Sequence, residues 1–166
     1  MFCNRKHFAK YIKGGFALCQ FVATFIGHRE CYGLDKMVLS YEIEKLIADG
    51  YSQFLCGGMG DFDWLCASCV HELKQKYPHI KNDLVIPCLS FAIRDTSCFD
   101  EIIYPEGMEK YHYKAAIPKR NRYLIEHSDA AICYVNHDWG GAAKTYAMAL
   151  KKKLHIVNLG ILQTSI

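Results

Sequence analysis

The signatures of several large function classes are missing from this sequence of 166 residues. It contains no GxxxxGK[ST] run, which excludes a P-loop nucleotidase, because that loop's amides and lysine are what cradle the phosphates. The nearest approach to GxGxxG is Gly58–Asp63, "GMGDFD", where Asp63 stands in place of the third glycine, which argues against a conventional nicotinamide-binding site. GxSxG is absent, and no cysteine and histidine pair at a nucleophile's spacing. Charge of one sign is scarce too: 20 Lys and Arg against 17 Asp and Glu leave a net +3. No basic run is long enough to track a phosphate backbone, which argues against nucleic acid as partner. Lys151–Lys153, the densest cluster, reads as a complement to a helix C-terminus. No segment reaches the roughly 18 apolar residues of a membrane span, and there is no internal repeat or low-complexity segment.

Cysteine, by contrast, is plentiful. The nine cysteines fall mostly inside apolar runs, the usage of small buried hydrophobes in a reducing compartment, and they point to a cytoplasmic protein. Cys66 and Cys69 form a CxxC, but on the apolar face of an expected helix and without a second ligand pair, so core packing is expected there and no metal site. Residues 1–19 begin with a basic stretch and then an apolar one, like a signal peptide. Gln20 interrupts the apolar part, and no small-x-small cleavage site follows. They read as a poorly structured leader, with a single domain over 20–166.

Apolar periodicity separates the remaining chain into alternating elements. Strands are expected at 20–26, 53–56, 83–88, 130–135 and 155–159. Helices are expected over 35–49, from 62 to a stop before Pro78, from Pro118 to Glu126 and over 142–152. Residues 89–117 read as irregular and aromatic-rich, either a lid or an interface. Strands apolar on both faces, alternating with helices, give an α/β, Rossmann-like, doubly wound and mainly parallel sheet of about five or more strands, with helices on both faces.

In such a fold ligands bind beyond the carboxyl ends of the strands, where strand order reverses. Gly27-His28-Arg29-Glu30 follows the first strand, and Gly57-Gly58-Met59-Gly60-Asp61-Phe62-Asp63 the second. Asn136-His137-Asp138-Trp139-Gly140-Gly141 follows the strand at 130–135. Singly these have ordinary readings: a tight turn for Gly57-Gly58, a helix N-cap for Asp61, loop histidines for His28 and His137. Two Gly-Gly pairs between a strand and a helix are less ordinary. Glycine lets a ligand approach the backbone, and the next helix offers free N–H groups to phosphate.

The segments "FIGHRE", "GGMGDFDWLCA", "IPKRNRYLIEHSDAAICYV" and "WGGAAKTYAMALKKK" resemble, in order and over Phe25–Asn158, the YpsA-like branch of the SLOG superfamily. These are Rossmann-like proteins akin to the Lonely guy enzymes and DprA. The resemblance implies a nucleotide-related ligand at the glycine-rich strand ends and tends to imply a homo-oligomer. It assigns to the site Gly27, His28 and Arg29 of the first loop, Gly57, Gly58, Gly60 and Asp63 of the GGxxxFD motif, Arg120 and Asn121, and Gly140 and Gly141. The chain departs from the Lonely guy PGGxGTxxE motif, having neither its GT nor its glutamate. Ala142 stands where relatives in the branch often carry threonine, with Thr145 as the candidate replacement.

The expected function is therefore binding or sensing of a nucleotide-derived small molecule, without cofactor or metal. Arg29 and Arg120 would hold phosphate oxygens, Asp63 ribose hydroxyls, and Trp139 a base. Arg120 has a structural alternative, an ion pair with Glu126 or Asp129. An N-ribosyl hydrolase using Asp63 or Glu30 is the second expectation, since carboxylates suit a transition state in which positive charge develops on the sugar. Single-stranded DNA binding, by analogy with DprA, ranks third.

Overall fold

A computed structural model describes residues 20–160; the leader expected over 1–19 lies outside the described residues. Six strands are present: β1 (Phe21–Gly27), β2 (Tyr51–Cys56), β3 (Lys81–Val85), β4 (Glu101–Ile103), β5 (Ala130–Tyr134) and β6 (His155–Asn158). They form one sheet in the order β4-β3-β2-β1-β5-β6, and every pairing is parallel. Helices α1 (Lys36–Ala48) and α2 (Asp61–Leu73) cover one face, where Leu39, Ile43, Phe62, Cys66 and Cys69 pack on Ala23, Phe25 and Phe54. The opposite face is covered by α3 (Tyr113–Glu126) and α4 (Gly140–Lys152), through Leu124, Ile125 and Ala149 against Leu55, Ile26, Ala131 and Cys133. This is the doubly wound α/β arrangement. The chain winds outward from β1 to β4, then α3 carries it back to β5 beside β1, so strand order reverses between β1 and β5.

Local chemistry accounts for most boundaries. Asp35 caps α1 by accepting from the Met37 amide at 2.8 Å, and Gly50, at φ +95°, ends the turn that follows. Cys66 and Cys69 are fully buried in the core. Among the described residues no helix is long and apolar enough to cross a membrane.

Four expectations require correction. The irregular stretch 89–117 contains β4, which pairs with β3 through Asp83–Glu101, Leu84–Ile102 and Val85–Ile103. Three residues are too few to show a period; side chains hold β4 instead. The Asp100 carboxylate accepts from the Asn82 amide at 2.8 Å, and the Asn82 side chain donates to the carbonyls of Cys98 and Ala67 at 2.7 and 3.2 Å. The strand expected at 83–88 runs instead from Lys81 to Val85. Helix α3 begins five residues before Pro118, which lies inside it. The proline removes the N–H that would bond the carbonyl of Lys114, a residue open to water, so the helix continues past it. Asp61 is not a cap: Gly60, at φ +108°, takes that position, and Asp61 opens the helix with its amide donated to the Arg29 carbonyl at 2.7 Å.

Candidate functional site

The reversal point between β1 and β5 opens into a cleft of about 660 Å³. Of the residues expected at the site, Gly27, His28, Arg29, Glu30, Gly57, Asp63, Arg120, Asn121, Gly140, Gly141 and Thr145 all line it. Gly58 and Gly60 do not; they line a neighbouring cleft of about 340 Å³.

Two of the glycines are explained by packing. A Cβ on Gly27 would fall on the Phe62 side chain, 2.8 Å from its Cβ, and Phe62 is fully buried. A Cβ on Gly57 would lie 2.6 Å from Arg120 Nη1 and 3.1 Å from Asp63 Oδ2. Gly140, at φ +89°, and Gly141 are different, because a Cβ on either would meet nothing within 4 Å. They open α4, whose cap residue Trp139 makes no side-chain bond and whose first turn carries no acid. Free amides and a positive helix end therefore face the cleft. At α2 the first turn holds Asp61 and Asp63, and the Asp61 amide is already engaged. An anion is favoured at α4 and opposed at α2.

Arg120 makes neither ion pair considered for it. It is 2% exposed, and Nη1 donates to the carbonyls of Gly57 and Val85, the latter at 3.0 Å. Its Nε donates to Asn121 Oδ1 at 2.9 Å; Asn121 Nδ2 donates to Thr145 Oγ1 at 3.1 Å; Thr145 Oγ1 donates to the Gly141 carbonyl at 2.8 Å. These bonds form a chain from the ends of β2 and β3 to the first turn of α4. Asn121 and Thr145 are thus committed to shaping the cleft wall, and Arg120 is anchored before any ligand arrives.

Asp63 is 8% exposed, and its Oδ2 accepts from the Met59 amide at 2.7 Å. Burial pushes its carboxyl up from 3.8 to about 6, against the opposing pull of the Arg120 guanidinium and the Met59 amide. Cys56, whose thiol donates to the Asp63 carbonyl at 3.4 Å, is raised well above its ordinary value by burial, so it offers no thiolate. Glu30 and Arg29 are exposed at the cleft mouth.

One feature of the mouth was only partly legible in sequence. The rings of His28 and His137 stack with centroids 3.5 Å apart, and His137 and Trp139 stack at 3.9 Å. Trp139, 69% exposed, ends this three-ring pile with a face toward water. His28 is lowered from 6.5 by burial and then by the charge of His137, and its Nε2 accepts from the Asn136 amide at 3.4 Å, which requires that nitrogen unprotonated. Sequence reasoning missed Tyr32 and Tyr134 as lining residues. The Tyr134 hydroxyl donates to the Tyr32 carbonyl at 2.7 Å and ties down the loop after β1; no local pattern marks such a contact.

Comparison with known proteins agrees with this architecture. No protein-family model matches the chain. DNA processing protein A (DprA) of Streptococcus pneumoniae has a TM-score of 0.62 at 16% identity, over 85% of this chain and 50% of that one. DprA of Helicobacter pylori, whose single-stranded DNA binding has been described, gives 0.59 at 17%, over 83% and 64%. The molybdenum cofactor carrier protein of Chlamydomonas reinhardtii gives 0.56 at 19%, over 85% and 78%. The chain thus spans about half to two thirds of the DprA chains, and these likenesses establish the Rossmann-like α/β fold. A UPF0398 protein of Oenococcus oeni is 27% identical, over 61% of this chain and 60% of its own length, and one from Halalkalibacterium halodurans 25%, over 71% and 68%. The SPbeta prophage-derived protein YoqJ of Bacillus subtilis is 31% identical, over 68% of this chain and 82% of its own length. On that relationship the chain belongs to the YpsA-like family of YoqJ and the UPF0398 proteins.

Proposed function

We propose that the chain binds a nucleotide or nucleotide-derived small molecule in the 660 Å³ cleft. The observation that carries this reading is the pairing, in one cleft, of an uncapped, acid-free helix N-terminus with a shielded carboxylate. Phosphate needs N–H donors and a positive field, and the Gly140-Gly141 turn supplies both. Ribose hydroxyls need an acceptor held away from water, and Asp63 is one. The outer face of Trp139 suits a base, because aromatic rings stack with an offset. Arg29 adds a charge-assisted donor.

The carboxyl of Asp63, held near 6, also favours a second reading, cleavage of an N-glycosidic bond. A group titrating near working pH can take the proton of an attacking water while the sugar carbon becomes positive. Single-stranded DNA binding draws support only from the DprA likeness; Glu30, Asp61 and Asp63 beside the loops oppose a polyanion.

Titration calorimetry with AMP and ADP, an assay for released free base and a labelled oligonucleotide shift at low salt separate the three. Saturable AMP or ADP binding without base release is expected. Sustained release abolished by Asp63→Asn would replace binding with hydrolysis, and a salt-dependent oligonucleotide shift without mononucleotide binding would replace both.

A further inference from the structure

The 340 Å³ cleft adjoins the first, and Arg29 and Met59 line both. The loop between them is held in one shape. Gly58 sits at φ +66°, where a Cβ would be 2.7 Å from Leu84 Cδ1, and Gly60 at φ +108°, where a Cβ would be 2.7 Å from Arg29 Cα. The Met59 amide donates to Asp63, and the Asp61 amide to the Arg29 carbonyl, each at 2.7 Å. These contacts pin the Arg29 backbone at the junction. Among the described residues its guanidinium has no hydrogen bond or ion pair. The second cleft is walled by Trp64, Phe91 and Arg94. Arg94 lies over the Trp64 ring at 5.6 Å and 3.7 Å from Asp61, and Trp64 meets Phe99 edge-on at 5.7 Å. An aromatic and guanidinium surface of this kind stacks a planar ring.

We propose that the second cleft is a subsite of the same binding site and that the ligand has two ends: a dinucleotide, two nucleosides joined through a diphosphate. The inference rests on the nucleotide reading above. A mononucleotide satisfies the α4 amides and Asp63 but leaves the aromatic cleft empty. A second phosphate engages Arg29 at the junction, and the ring beyond it enters between Phe91 and the Trp64–Arg94 pair. The two clefts meet at Arg29 and Met59, which suits two rings joined through a short diphosphate.

Calorimetry on the full chain with ADP and diadenosine diphosphate as probes tests this. Diadenosine diphosphate is expected to bind about tenfold or more tightly than ADP, the gain from one stacked base. Arg94→Ala and Phe91→Ala are each expected to remove that gain and leave ADP affinity unchanged. The Arg94 side chain is 65% exposed, so its variant folds even if Phe91→Ala does not. Equal affinity for the two probes, or variants without effect, overturns the two-ended ligand while leaving the mononucleotide reading intact. Binding of neither probe overturns both. Oligothymidylate binding more tightly than the dinucleotide, and displacing it, overturns the proposal in favour of a strand.

Discussion

Replacing Asp63 with asparagine gives the sharpest test of the site's electrostatics. The carboxyl is faced by the Arg120 guanidinium from α3 and the Met59 amide from the glycine loop, yet burial outweighs them and lifts it from 3.8 to about 6. Between those values the folded protein keeps a proton that the unfolded chain has released, so this group's contribution to stability falls as pH rises. At about 1.4 kcal/mol per pH unit, the rise of roughly two units corresponds to about 3 kcal/mol. Asparagine retains the shape and the acceptor for Met59 but cannot titrate. Urea unfolding of both proteins from about pH 4 to about pH 8 isolates the effect, since every other titrating group cancels in the difference. The wild type is expected to lose about 2.5 kcal/mol of this relative to Asp63→Asn across this window, because near pH 4 the unfolded carboxyl has already released about half of its protons. A difference that stays constant, or that moves the other way, refutes the claim that burial dominates at Asp63.

Gly27→Ala is expected to cost about 1–3 kcal/mol in urea unfolding, because the added methyl meets the fully buried Phe62, which has nowhere to go. Gly141→Ala is expected to change stability by less than about 0.5 kcal/mol, since its methyl enters open space. In calorimetry it should weaken AMP binding about tenfold by standing over the α4 amides. Arg120→Lys is expected to cost about 3 kcal/mol despite conserved charge, because one ammonium cannot serve Asn121 and the two carbonyls in the same geometry. In an NMR titration, His137→Ala should raise the pKa of His28 toward 6.5 without reaching it, burial being the larger of its two causes.

Much of the fold was legible because burial leaves a periodic mark on the chain. The apolar runs around β1, β2 and β5 and the three- and four-residue spacing of Phe62, Cys66, Cys69 and Val70 report faces in contact with core. The glycine pairs flagged a strand-end site for a similarly local reason. The unusual φ of Gly58 and Gly140 is something few other residues adopt. The loops after β1, β2 and β5 do meet at one cleft, because the sheet places β1 between the other two.

The roles of individual side chains were less accessible. Arg120 reads in sequence as a phosphate donor or the ion-pair partner of Glu126 or Asp129, yet it is buried with donors on carbonyls 63 and 35 residues away. Strand β4 has no period of its own and is bound to β3 by its backbone ladder together with Asn82 and Asp100, partners 18 residues apart. The second aromatic cleft joins residues of α2 to the loop after β3. By itself, then, the sequence determined most of the strands and helices, β4 excepted, and which strand ends carry glycine and charge, since these follow from local periodicity and backbone freedom. Only the tertiary structure decided the strand order, the burial that raises Asp63 and the long-range partners that anchor Arg120 in the wall of the site. Those depend on groups distant in sequence being taken out of water together.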